Sequence, residues 1–251
     1  MKNYKFYKFS RINKNLVDSL LKGYLFFAKP VNLNDPFDCH LDIQKAVKNV
    51  MEMAVQNDNE IGVQRLQILI DHKKTLSSIE KAIHEWGVCS FSFSLNMEKE
   101  PLMWSHYAGN HCGACILYEI PEDFLVDESN KILGVDRVKY DKNPLTNLLL
   151  DYSNINNEIK DDFDNDIIKT IIMSKNSCWD YEQEVRIIRK ESGRLDIPKS
   201  YIKKICFGLH TSDEDISLIR EIVGSYDHEV NLCRVVSGES DFGIDYDDLL
   251  R

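Results

Sequence analysis

The chain has no run of about 18 apolar residues, so no segment of it reads as a membrane-spanning helix. Its first residues, Met1 to Ser10, carry no apolar stretch ahead of a small-residue cleavage site; they read as a strand and not as a secretory leader, and a cytoplasmic location is expected. No P-loop, no Gly-x-Gly-x-x-Gly and no His-Glu-x-x-His occurs, which removes the commonest phosphate, dinucleotide and zinc-hydrolase signatures. There is no internal repeat and no low-complexity linker. The seven cysteines are odd in number in a chain of 251 residues, so a disulfide framework is not expected and most thiols read as small buried hydrophobes. Cys112 and Cys115 have the spacing of half a zinc site, but no second pair matches them, so no metal is expected. Basic charge is also in deficit: 31 Lys and Arg stand against 41 Asp and Glu, a net charge of −10. Such a surface repels phosphate backbones and argues against broad nucleic-acid binding, while a small basic pocket could still hold one anionic ligand.

What is present is ordinary globular material, 43% hydrophobic and 29% charged. Tyr4 to Phe9 reads as a first strand, and Ile12 to Lys22 as a helix stopped by Gly23. Tyr24 to Ala28 reads as a buried strand, and Asn32 to Asp38 as a turn cluster anchored by Phe37. Residues 41–86 have helical patterning, with Val47, Val50, Met51 and Val55 on one stripe and Leu66, Ile68, Leu69 and Ile70 on another. Val88 to Ser94 alternates serine with apolar residues, as a strand with two unlike faces does. A short helix over Pro101 to Ala108 and a central strand over Gly113 to Tyr118 follow. Further strands are expected at Leu133–Tyr140, Glu184–Arg189, Ile202–Leu209 and, last, Val230–Val236. Leu145 to Lys175 reads as helix with a polar interruption at Ser153–Asn157, and Asp213 to Val223 as helix capped by Ser212. The irregular alternation favours an α+β fold with mixed or antiparallel central sheets over a doubly wound one. One domain, 1–251, with helical insertions at about 41–86 and 145–175, is the simplest organisation.

Three stretches could carry chemistry. Met103 to Gly113 holds Trp104, Tyr107, His106 and His111; if 102–108 is helical, Trp104 and Ala108 share a face and His106 lies opposite. The imidazoles could act as donor, base or anion contact near neutral pH, or could simply cap loop carbonyls around a core tryptophan. Trp179 to Ile188 places Glu182 and Glu184 two apart at the mouth of a strand, beside Tyr181. One carboxylate could stabilise developing positive charge while its neighbour tunes it; alternatively both pair with Arg186 and Arg189. Ser90, Ser92 and Ser94 could line a pocket or face solvent on an edge strand.

The ordered set Tyr4-Lys-Phe-Tyr7, Asn34-Asp-Pro-Phe-Asp38, Cys89-Ser-Phe-Ser92, Met103-Trp-Ser-His-Tyr-Ala108 with His111 and Gly113, Trp179-x-Tyr-Glu-x-Glu-Val-Arg186 and Ile205-Cys-Phe-Gly-Leu209 resembles a bacterial family known as domain-of-unknown-function family 2971. More distantly, the order of parts is similar to ADP-ribosyltransferases. That resemblance implies a cleft for NAD, with Tyr7 or Lys8 contacting ribose or amide, Ser90 and Ser92 shaping the pocket, and Glu184 stabilising an oxocarbenium-like transition state. The first strand departs from that pattern in offering Lys5, Tyr7 and Lys8 where an Arg or His is usual. Taken together, Glu184, His106, Tyr107 and Glu182 are the candidate catalytic residues. Lys5, Tyr7, Lys8, Ser90, Ser92, Trp104, His111 and Tyr181 are the candidate substrate contacts. The expected activity is cleavage or transfer of ADP-ribose from NAD, as a toxin or anti-phage effector, with NAD as substrate, no permanently bound cofactor, a protein or nucleic-acid acceptor left open, and no membrane partner. The alternatives are a hydrolase or nuclease working through His106 and His111, and a non-catalytic sensor of a small ligand.

Overall fold

The computed structural model describes residues 2–71, 79, 81, 83–93, 100–154, 163–238 and 243–249. Ser94 lies outside them, as do parts of the 41–86 and 145–175 segments. In chain order the elements are β1 (Asn3–Ser10), α1 (Lys14–Lys22), β2 (Tyr24–Phe27), α2 (Ile43–Gln56), α3 (Glu60–Asp71), β3 (Gly87–Ser92), α4 (Glu100–Tyr107), β4 (Ala114–Pro121) and α5 (Glu122–Val126). They continue with β5 (Ile132–Arg137), β6 (Lys139–Tyr140), α6 (Pro144–Ser153), α7 (Phe163–Ile172), β7 (Ser174–Lys175), β8 (Glu184–Arg189), β9 (Gly193–Asp196), β10 (Ile202–Phe207), α8 (Asp213–Gly224), β11 (Asn231–Ser237) and β12 (Ile244–Asp248).

Local chemistry explains the helix limits. Asn13 caps α1 by accepting from the amides of Asn15 and Leu16, and Gly23, at φ 73°, supplies the left-handed stop. Ser212 caps α8 through the amide of Asp215. The fold is α+β: eight strands form one mixed sheet in the order β12-β11-β10-β4-β1-β3-β8-β5. All neighbours in it are antiparallel except β10 and β11. β1 and β4 pair along their whole length, Asn3 opposite Pro121 through Ser10 opposite Ala114. β1 and β3, by contrast, meet in register only at Tyr7 opposite Ser92. The sheet is therefore thinly joined at its centre.

One face of the sheet packs Phe6, Phe91, Ile116, Ile187 and Ile205 against α1, α8, β2 and β9. The other face has two separate apolar patches. Val88 and Ile188 lie under α2, α3, α6 and α7, while Phe9, Cys115, Cys206 and Cys233 lie under α4. Ser90, Ser92, Glu184 and Arg186 share this second face by the two-residue alternation of their strands. They form a polar seam between the two patches.

Several expectations need correction. Phe37 is 80% exposed and anchors nothing; the inward residue of that turn is Asp38. Val55 (61% exposed) and Ile68 leave the helical stripes, because the apolar faces of α2 and α3 that meet the core are narrower than the patterning suggests. Lys175 ends in a two-residue strand beside β6 and is not helical. Leu133–Tyr140 divides into β5 and β6. β9 was not expected, and β11 is followed by β12, so it is not the last strand. All seven cysteines are free thiols. Among the described residues no helix is long and apolar enough to cross a membrane.

Candidate functional site

The polar seam opens as a cleft of about 130 Å³. Three neighbouring strands build its floor. Tyr7 of β1 stands opposite Ser92 of β3, and Ser92 stands opposite Glu184 of β8, so the three side chains lie abreast on one face. Leu33, Asn34 and Asp38 close one side, Met103 and Tyr107 of α4 another, and Lys175 and Glu182 the remainder. The turn joining α4 to β4 needs a residue without a side chain, because a Cβ on Gly113 would collide with the Ser10 carbonyl and approach that of Ala108 to 2.6 Å. Gly113 thus sets how closely α4 can lie on β1.

Beneath the cleft is a buried ion cluster. Arg186 donates to both Asp38 oxygens, at 2.9 and 2.6 Å, and to both Glu184 oxygens, at 2.7 and 3.0 Å. Lys175 reaches Glu182 at 2.6 Å, Glu184 at 3.4 Å and Asp38 at 3.7 Å. Among the described residues three carboxylates thus face two cations, which leaves one negative charge in the cluster when all are ionised. Burial by itself would raise the Glu184 carboxyl, but Arg186, Lys175 and the Ser90 hydroxyl hold it down at about 2. Glu182 goes the other way: burial raises it, and Lys175 only partly offsets that. Burial would lower the Lys175 ammonium, but Glu184 and Glu182 keep it above its ordinary value. Glu184 is consequently held as a fixed charge, and Glu182 is the more readily protonated of the two.

Tyr107 links the rim to this cluster. Its hydroxyl donates to Glu182 Oε1 and accepts from Asn34 Nδ2 at 3.2 Å. Burial and the neighbouring Glu182 carboxylate push the phenol far up, so it stays protonated. Ser92 Oγ donates to the Glu182 backbone carbonyl and pins the segment that carries the carboxylate. Gln183, in the left-handed region at φ 45°, turns the chain so that Glu182 and Glu184 both face the cleft.

Of the residues expected at the site, Tyr7, Lys8, Ser90, Ser92, Tyr107, Glu182 and Glu184 line this cleft. Five do not. Lys5 is on the surface, paired with Glu119 at 3.4 Å. Trp104 is fully buried, edge-on to Phe9, with its Nε1 unpartnered among the described residues. His106 is exposed and shares a 2.7 Å hydrogen bond, through Nδ1, with the Tyr181 hydroxyl. Tyr181, its phenol raised to about 12 by burial and by Glu182, joins His106 and Trp179 in an aromatic cluster outside the cleft lining. His111 lies beyond α4, with Nε2 3.1 Å from Ser105 Oγ and its ring beside His210. Burial, and then His210, lowers its pKa.

Asp38 and Asn34 were not singled out as site residues, although the Asn-Asp-Pro-Phe-Asp motif carried the signal. The expected alternative, pairing of the glutamates with Arg186 and Arg189, holds for Glu184 with Arg186, which is completely buried; Glu182 pairs with Lys175 instead, and Arg189 with Glu191. Lys175 gave no signal, since a lysine at the end of an apparent helix has no reason to be internal.

Fold and site together define an α+β protein with a buried acidic cleft between the central strands. Residues 103–187, which span α4 to the middle of β8, match the model of a family described as protein of unknown function, DUF2971. No curated protein and no solved structure matches the chain.

Proposed function

We propose that the cleft binds the nicotinamide end of NAD and cleaves its bond to ribose, releasing nicotinamide and passing ADP-ribose to water or to an acceptor. The observation that carries this reading is the row Tyr7, Ser92, Glu184 beside a cluster with one carboxylate in excess. Breaking the bond sends its electron pair to the ring nitrogen and leaves positive charge on the ribose, which a preorganised negative site stabilises. Glu184, ionised at all ordinary pH values, supplies the fixed charge. Glu182 takes the proton of the attacking water as its oxygen bonds to the ribose carbon. Tyr107 and Lys175 orient that carboxylate. A cleft of about 130 Å³ suits one aromatic ring with part of a sugar. The rest of the dinucleotide would lie over the rim, past Tyr181 and His106. A role as toxin or anti-phage effector would follow from depletion of NAD or modification of a target.

Incubation with NAD, with and without candidate protein and nucleic-acid acceptors, tests this by chromatography of nicotinamide. Release is expected from the wild type and a loss of about 100-fold or more from Glu184→Gln or Glu182→Gln, in the range general acid–base groups contribute. Absence of release above buffer would remove the enzymatic reading.

A second reading rests on the pairing itself. Every carboxylate of the cluster already has a cationic partner, which suits a pocket that senses a ligand without turnover. It predicts thermal stabilisation by NAD or nicotinamide with no product formed. The hydrolase alternative draws no support from the geometry, because His106 and His111 bond different partners and neither lines the cleft.

A further inference from the structure

A second cavity, of about 320 Å³, lies on the opposite face of the sheet, between β1, β4, α1 and β2. Leu16, Leu25 and Ile116 form its apolar walls with the ring of Tyr118, and Phe26 stands 57% exposed at its rim. Its charge comes from Lys8 and Arg194. Arg194 pairs with Asp18 at 2.8 Å, but that carboxylate does not line the cavity and also accepts from Lys22 at 2.6 Å, so two cations already answer it.

Lys8 stands differently. Alternation along β1 turns it away from Tyr7, and the short β1–β3 pairing lets its Nζ reach the Ser90 carbonyl at 2.9 Å and the Cys89 thiol at 3.7 Å, 4.9 Å from the centre of the Phe91 ring. Neither acceptor carries a full negative charge, so this half-buried ammonium has no carboxylate to answer it among the described residues. Among the described residues, Lys8 is also the one that lines both this cavity and the cleft. A neutral ligand would leave its charge unmatched; because Arg194 is shared with Asp18, the walls carry one fully unanswered cation, which a single carboxylate matches and a phosphate or dicarboxylate would exceed.

We propose that this cavity binds a small monocarboxylic acid with a compact apolar body, the carboxylate on Lys8 and Arg194 and the body on Leu16, Leu25 and Ile116. The volume lies at the lower end of ligand pockets and excludes a long acyl chain. The site does not depend on the NAD reading, and its test needs no turnover.

Calorimetric and thermal-shift titrations of the whole chain would use benzoate and hexanoate, with benzyl alcohol and hexanol as neutral counterparts. The acids are expected to bind saturably, at least about tenfold more tightly than the alcohols, as loss of a charge-assisted contact implies. Lys8→Met should abolish that preference. Arg194→Gln, at a half-exposed side chain whose loss does not threaten folding, should weaken acid binding several-fold. Lys5→Gln, which removes a surface cation from the other face of β1, should leave acid affinity unchanged. No saturable binding, equal binding of acids and alcohols, unchanged affinity in Arg194→Gln, or loss of affinity in Lys5→Gln would each overturn the proposal.

Discussion

Arg186 is the residue on which the cleft depends. Its guanidinium answers Asp38 and Glu184 at once, and both carboxylates are buried with it. Removing one partner of such a cluster leaves uncompensated internal charge, which costs more than the intact pair ever contributes. Arg186→Met is therefore expected to lower stability by about 3–5 kcal/mol, measured by urea unfolding. A loss within the range of a surface ion pair, under about 1 kcal/mol, would show that the cluster is solvated. The two glutamates give a pH signature. Glu184, depressed from 4.5 to about 2, adds stability that is complete above its unfolded value and is lost as pH falls from about 4.5 towards 2. Glu182, raised from 4.5, acts in the opposite sense: the folded protein holds that proton more tightly, so its contribution declines as pH rises above the ordinary carboxylate range. Glu184→Gln should flatten the acid limb of a stability–pH curve; an unchanged limb would show that other carboxylates govern acid unfolding.

At the scale of elements, α4 and the turn after it decide whether the site forms. Trp104 and Ala108 bury one side of the helix against β1 and β4, which turns Tyr107 towards Glu182 and leaves His106 outside. Gly113 lets that helix lie close, since the carbonyls of Ser10 and Ala108 occupy the space of a side chain. Gly113→Ala is expected to lower the melting temperature and to shift Tyr107 off Glu182, visible as weaker ligand stabilisation at a temperature where the variant is still folded. A variant with wild-type melting and binding would mean that the turn relaxes freely. Much of this is legible in the sequence: a short helix expected over 101–108 and found at 100–107, the two-faced serine strand and the paired glutamates. Two features are not. Phe37 looked like an anchor because it is large and apolar, yet Asp38 takes the internal position because a buried guanidinium awaits it. The histidines stand out by density, and the helix period does place His106 opposite the buried Trp104 and Ala108 as expected; what the pattern does not reveal is that neither His106 nor His111 lines the cleft.

Over the whole molecule, the sheet is continuous yet unevenly joined. β1 shares eight residue pairs with β4 and one with β3, and the two cavities approach each other from opposite faces at that joint, where Lys8 reaches across to the Ser90 carbonyl. Hydrogen exchange is expected to be slower for the β1 amides that face β4 than for those that face β3 beyond Tyr7. Equal protection on both sides would show that the joint is closed as firmly as its neighbour.

The sequence by itself determined the α+β class, most element positions and the candidate strands, because alternation, helical spacing and caps act over a few residues. Which side chains meet was decided by the tertiary structure alone. Asp38 lies 148 residues from Arg186 along the chain, and an internal charge is tolerated only where folding delivers its partners, a condition that no local pattern encodes.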